Sequence, residues 1–154
     1  MMQFFKKISR LFAPKLTSAS DNQPSTDLSR ALASLLYEAA RVDDDVTNDD
    51  LVIAVGSLRN LNSINTAEAE QLLSDASQPH NRPTAYQPLT KVINEEFSYE
   101  QKCELIKAMW SVAHSDNHVD PQEDHIIRKI SDLLYVAHRD FIHGKIDARD
   151  SEKP

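Results

Sequence analysis

The sequence has little of three features that many folds and sites require. It contains one cysteine, Cys103, in 154 residues, which excludes an internal disulfide and a zinc site built from several thiolates. It contains two glycines, too few for a glycine-rich phosphate loop. It also lacks the run of about 20 apolar residues that a membrane-spanning helix needs. These absences favour a protein of the reducing cytoplasm.

Positive charge is also scarce. The chain has 17 Lys and Arg against 24 Asp and Glu, and its net charge is −7. Binding to phosphate backbones depends on clustered basic side chains, so nucleic acid is not expected as a partner.

Apolar residues recur at helical spacing in seven segments, and no segment alternates with a period of two. This pattern predicts an all-α bundle of about seven helices over residues 25–147, followed by a disordered tail at 148–154. The first two predicted faces are Leu28, Leu32, Leu35, Leu36 and Ala39, and then Leu51, Val52, Val55 and Leu58.

The first 24 residues form a separate region in this interpretation. Phe4, Phe5, Ile8 and Phe12 alternate with lysines and an arginine, as in a short basic amphipathic helix. Residues 16–24 lose this periodicity and are predicted to be a flexible tether. We expect residues 4–12 to contact the helical domain, a second copy of the chain, a protein partner or the inner face of a membrane.

Two acidic passages align at an offset of 73 residues. Asp43 then corresponds to Asp116, and Asp50 corresponds to Glu123. The other identities fall on apolar faces and caps, as for Leu32 with Leu105. We therefore predict two helix–acidic turn–helix units, joined by a linking pair of helices.

Helix capping explains some of these acids. Asp120, Pro121 and Glu123 have the pattern of an N-cap, a first-turn proline and a capping box. Thr47 and Asp50 repeat the capping box in the first unit.

Capping does not explain Asp43 and Asp116, which follow the C-terminal ends of helices. An anion there is unfavourable by up to about 1 kcal/mol, because the helix dipole is negative at that end. A cation would reverse this penalty, and carboxylate and carbonyl oxygens suit calcium, magnesium or manganese. The predicted metal ligands are Asp43, Asp50, Asp116 and Glu123, with Asp45 and Asp120 in support.

The spacing limits the type of metal site. An EF-hand loop beginning at Asp43 would need Gly at position 48 and Glu at position 54, where the chain has Asn48 and Ala54. Zinc is less favoured, because a helix break between His114 and His118 would separate their side chains.

Four passages resemble the tellurite-resistance TerB family. They are "EAARVDDDVTNDD", "SVAHSDNHVDPQED", "VINEEFSYEQKCELIKAMWSVAHSD" and "VAHRDFIHGKI". The resemblance covers about residues 25–147 and is closest to small stand-alone TerB-domain proteins. It implies an all-helical TerB-like fold, a divalent-cation site in the acidic turns, and an association with tellurite resistance or stress response. Members of the family usually have Gly after the first Asp, whereas this chain has Asp44 and Asn117, residue types that tolerate the left-handed conformation.

The expected function is that of a non-enzymatic module that binds a divalent cation, a partner or both. Two alternatives stay open: a metal-dependent hydrolase that uses one acidic turn, and a purely structural scaffold in which the acids are caps. Cys103, Met109 and Trp110 are predicted to be core or boundary residues.

Overall fold

A computed structural model describes residues 26–41, 46–113 and 121–151 of the chain. The predicted arm and tether at 1–24 therefore lie outside the described residues. The described part contains seven α-helices and no strand, which confirms the predicted fold class. The helices are α1 (Thr26–Ala40), α2 (Asn48–Asn62), α3 (Thr66–Ala76), α4 (Gln87–Glu96), α5 (Tyr99–Ala113), α6 (Pro121–Leu133) and α7 (His138–Ser151), with a short 3₁₀ helix at Pro79–Asn81.

The core lies around α1 and α5, which pack against each other. All five residues of the predicted face of α1 are buried, and Met109 and Trp110 of α5 are fully buried. Helix α1 also contacts α2, α3 and α4, and α5 also contacts α2, α6 and α7. The two helices that precede the acidic turns are thus the centre of the fold.

The predicted repeat is visible in the positions of the helices. Helices α1 and α5 begin and end at an offset of 73, and α2 and α6 begin at the same offset. Ser63, which directly follows α2, and Tyr135, two residues after the end of α6, are both left-handed and lie at an offset of 72. Helices α3 and α7 begin at this offset, and they pack on α1 and α5 respectively. Each unit therefore has three helices. A single helix, α4, links the two units, where the sequence had predicted a linking pair.

Two helix starts illustrate how local sequence sets these bounds. Ser98 and Gln101 exchange two backbone-to-side-chain hydrogen bonds, of 3.2 and 2.8 Å, before α5. At α3, Asn65 accepts from the Glu68 N–H at 2.8 Å. The Glu68 carboxylate accepts from the Asn65 side-chain amide instead of the Asn65 backbone N–H, so this helix start has only one of the two bonds of a reciprocal capping box.

Two details of the predictions are wrong. Val52 was assigned to the core face of α2 but is 69% exposed, whereas Asp50 and Ala54, which were not assigned to it, are buried together with the correctly predicted Leu58. The tail was predicted to begin at Ala148, but α7 continues to Ser151 and Ala148 is fully buried.

Candidate functional site

The acidic turns connect corresponding helices of the two units. The first lies between Ala40, the end of α1, and Thr47, the N-cap of α2. The second lies between Ala113, the end of α5, and Pro121, the start of α6. Four of the predicted ligands, Asp43, Asp45, Asp116 and Asp120, lie outside the described residues. Glu123 lies in the first turn of α6, and its side chain is outside the described part as well.

Asp50 is the one predicted ligand with a described environment. Its carboxylate accepts a hydrogen bond from the Thr47 N–H at 2.9 Å, and its own N–H donates to the Thr47 hydroxyl at 3.1 Å. This arrangement confirms the predicted capping box. Asp50 is also buried, at 6% exposure. Whether it also binds a metal stays a prediction.

The described ranges on either side of the turns contain no group of three or more His, Cys, Asp or Glu side chains placed to hold a metal ion. His125, in the second turn of α6, is exposed, as expected for a surface residue. Any metal centre of the predicted kind would thus depend on residues 42–45 and 114–120.

An ion pair lies just beyond the second acidic turn. Lys145 of α7 lies 2.8 Å from the Asp124 carboxylate of α6, and Arg128 lies 3.4 Å from the other oxygen of Asp124. Partial burial acts to raise the pKa of Asp124, but the bonds and charges of Lys145 and Arg128 lower it more, so the net pKa is below its usual value. Lys145 also lies 5.0 Å from the Trp110 ring centroid, within range of a cation–π contact.

A second polar cluster, which the sequence analysis missed, lies at the end of α1. Glu38 is only 4% exposed, and three side chains surround its carboxylate. The distances to its oxygens are 3.7 Å from Arg41, 3.5 Å from Arg82 and 3.4 Å from the Tyr86 hydroxyl. Burial and the nearby Glu38 charge raise the pKa of Tyr86, so its hydroxyl stays protonated.

One signal in the sequence could have identified Glu38. It is the only charged residue in "LASLLYEAA", between Leu36 and Ala39 of a strongly apolar helix. A charge in that setting is rarely buried without a partner. Its partners Arg82 and Tyr86 are more than 40 residues away, so the sequence does not reveal them.

A cavity of about 450 Å³ opens beside this cluster. The Glu38 cluster, the segment between α3 and α4, and one side of α6 form its walls. Its lining residues are Glu38, Arg41, Arg82, Pro83, Thr84, Ala85, Tyr86, Gln87, Ile126, Lys129 and Leu133.

Cys103 has the environment of a boundary residue. It is half-buried in α5, and burial is the main cause that raises the pKa of its thiol. A raised pKa reduces the thiolate fraction, which is the opposite of what a nucleophilic cysteine requires.

Comparison with known proteins identifies the family. The family model described as "Tellurite resistance protein TerB" matches residues 29–146, about three quarters of the chain. The chain therefore belongs to the TerB family, which confirms the resemblance seen in the sequence. TerB is generally not a family of catalytic enzymes. Comparison with curated proteins gave no match, and comparison with solved structures gave none either.

The α-helices in the described part are all too short or too polar to cross a lipid bilayer.

Proposed function

We propose that this TerB-family protein is a non-enzymatic module that binds a divalent cation through its two acidic turns. Calcium, magnesium and manganese are the preferred ions. Cation binding would control contact with a partner in tellurite resistance or stress response.

The observation that supports this proposal is the identical ending of α1 and α5. Neither helix has a basic residue in its last turn, where Lys or Arg would ordinarily balance the negative end of the helix dipole. Both are followed, three residues after their last helical residue, by an aspartate: Asp43 after Ala40, and Asp116 after Ala113. A cation bound at these positions would stabilise both the ionised carboxylates and the negative ends of the helix dipoles.

Arg41 follows α1 directly but does not remove this imbalance. Its guanidinium lies 3.7 Å from the buried Glu38 carboxylate, which already neutralises much of its charge. From Asp43 to Asp50, across the first acidic turn and the start of α2, the sequence has five acids within eight residues and no Lys or Arg among them. Like charges at this density oppose one another's ionisation, and a divalent ion would relieve the repulsion.

Thermal unfolding tests the proposal. A ligand that binds only the folded state raises the melting temperature, so a dilute divalent salt should raise it more than a monovalent salt of equal ionic strength. Asp116→Asn should reduce this difference. Asp132→Asn, which makes the same change on the exposed surface of α6, should leave it unaltered. Equal responses of the two variants, or the lack of a divalent-specific shift with calcium, magnesium, manganese and zinc, would show that the turns bind no cation.

A further inference from the structure

We infer that the cavity beside Glu38 is a binding site for a small organic anion, one with a phosphate or carboxylate head and a flat apolar body. The residues that line it differ from the predicted metal ligands, and it belongs to a chain whose net charge is negative. The inference depends on the surplus of positive charge in the cavity, on the donors that remain available there, and on the apolar side of its wall.

Positive charge exceeds negative charge in the lining of the cavity. Arg41, Arg82 and Lys129 lie there with a single acid, Glu38. Glu38 cannot neutralise both Arg82 and Lys129, so positive charge exceeds negative charge among the described lining residues even when Arg41 is left out of the count.

Two of these cations, Arg82 and Lys129, have hydrogen-bond donors that are not used within the described residues. Arg82 uses its Nε on Glu38 at 3.5 Å, and its two terminal nitrogens have no bonded partner among the described residues. Lys129 lies 5.9 Å from the Tyr86 ring centroid, and its ammonium forms no ion pair within the described part of the chain. A guanidinium with unpaired terminal N–H groups suits the planar or tetrahedral oxygens of a carboxylate or phosphate. The ion pair with Glu38 holds Arg82 in place before the ligand arrives.

The rest of the wall is suited to an apolar body. Ile126 and Leu133 of α6 and the half-buried ring of Tyr86 line the cavity beside the cations. A volume of about 450 Å³ exceeds what inorganic phosphate fills and lies within the range of small-molecule sites. The combination of an apolar wall and a few convergent polar groups is typical of sites that bind organic ligands.

Phenyl phosphate is a probe with both parts of the proposed ligand, and inorganic phosphate and phenol each supply one part. Titration of the ¹⁵N-labelled full chain at constant ionic strength, followed by amide chemical shifts, should show saturable changes near Arg82, Tyr86 and Lys129. Phenyl phosphate should bind more tightly than either of the other two compounds. No saturable change at these amides below about 10 mM phenyl phosphate would overturn the inference, since even a ligand of this size should bind a fitted site that well. Equal binding of inorganic phosphate would overturn the part of it that concerns an organic body.

Matched variants distinguish binding in the cavity from a nonspecific effect of the protein's net charge. Lys129→Glu should weaken phenyl phosphate binding about tenfold or more, because it removes a charged donor and places an acid at the site. Lys91→Glu makes the same change on the exposed side of α4 and should have little effect. Arg82→Gln, compared with Arg30→Gln on α1, is a second pair. Lys129 is exposed, so its variant should fold even if loss of Arg82 destabilises the protein. Equal binding by Lys129→Glu and Lys91→Glu would contradict the inference.

Discussion

Lys145 Nζ lies 2.8 Å from a carboxylate oxygen of Asp124, and this ion pair connects α7 to the first turns of α6, next to the second acidic turn. Both side chains are partly exposed, at 37% and 25%. The pair therefore attaches the last helix of the second unit to the helix that bears Glu123, but solvent screens much of its attraction.

The ion pair predicts a dependence of stability on pH. The pKa of Asp124 is lowered in the folded protein, so its contribution to the free energy of unfolding is present above the ordinary pKa of about 4 and is lost as the pH falls through the lower, folded-state value. Asp124→Asn should reduce stability by up to about 1 kcal/mol at pH 7, given its partial exposure. Urea unfolding of parent and variant from pH 7 to pH 2 should show the difference shrinking at the acid end. A difference that grows on acidification would contradict the assignment.

The capping box at Thr47 predicts a loss of stability without a change in the core. Thr47→Ala removes the acceptor for the Asp50 N–H, so it should lower the free energy of unfolding by about 1 kcal/mol. Thr84→Ala, in the exposed segment before α4, is the control and should change it by less than about 0.5 kcal/mol. If both variants unfold at the same urea concentration as the parent, the cap does not stabilise α2.

Helix α2 offers a test of which of its faces is buried. Leu58→Ala removes a fully buried side chain and should reduce the free energy of unfolding by about 2–5 kcal/mol. Val52→Ala on the same helix should have a small effect, because Val52 is 69% exposed and Ala is the better helix former. Chemical denaturation measures both values. A large loss in Val52→Ala would mean that another surface covers this side chain.

Both glycines of the chain lie inside helices, where Gly is less favourable than Ala by about 0.5–1 kcal/mol. A Cβ at Gly144 would lie 3.5 Å from the backbone nitrogen of Lys107, which is an ordinary contact distance. A Cβ at Gly56 would meet nothing within 4 Å. Gly144→Ala and Gly56→Ala should thus each raise the melting temperature. A decrease in Gly144→Ala alone would show that α5 and α7 are packed more closely than this distance implies.

The sequence predicted most of the fold because helical periodicity is a local signal. Leu28, Leu32 and Leu36 recur at the spacing of one face, and tertiary contacts then bury that face as expected. The prediction was wrong at Val52, because apolar residues lie on several sides of α2 and periodicity alone does not select among them. The match of α3 with α7 was missed because the offset changes from 73 to 72 before Ser63 and Tyr135: α6 is two residues shorter than α2, and the connection after it is one residue longer.

The residues of the candidate sites likewise divide into those whose partners are close in sequence and those whose partners are distant. The capping role of Asp50 was predictable, because its partner Thr47 is three residues away. The partners of Glu38 were not, because Arg82 and Tyr86 come from the distant segment between α3 and α4. The ligand role of Asp43 and Asp116 stays a prediction from the sequence, supported by the matched ends of α1 and α5.

Isothermal titration calorimetry tests the proposed cation site most directly. Calcium, magnesium and manganese chlorides would be titrated separately into the parent protein and into two double variants of equal charge. These are Asp43→Asn with Asp116→Asn, and Asp27→Asn with Asp132→Asn, whose side chains are exposed on α1 and α6. We predict saturable heat with at least one ion in the parent and in the second variant, and its loss in the first. No saturable heat in the parent with any of the three ions, or equal heat in the two double variants, would contradict a cation site in the acidic turns.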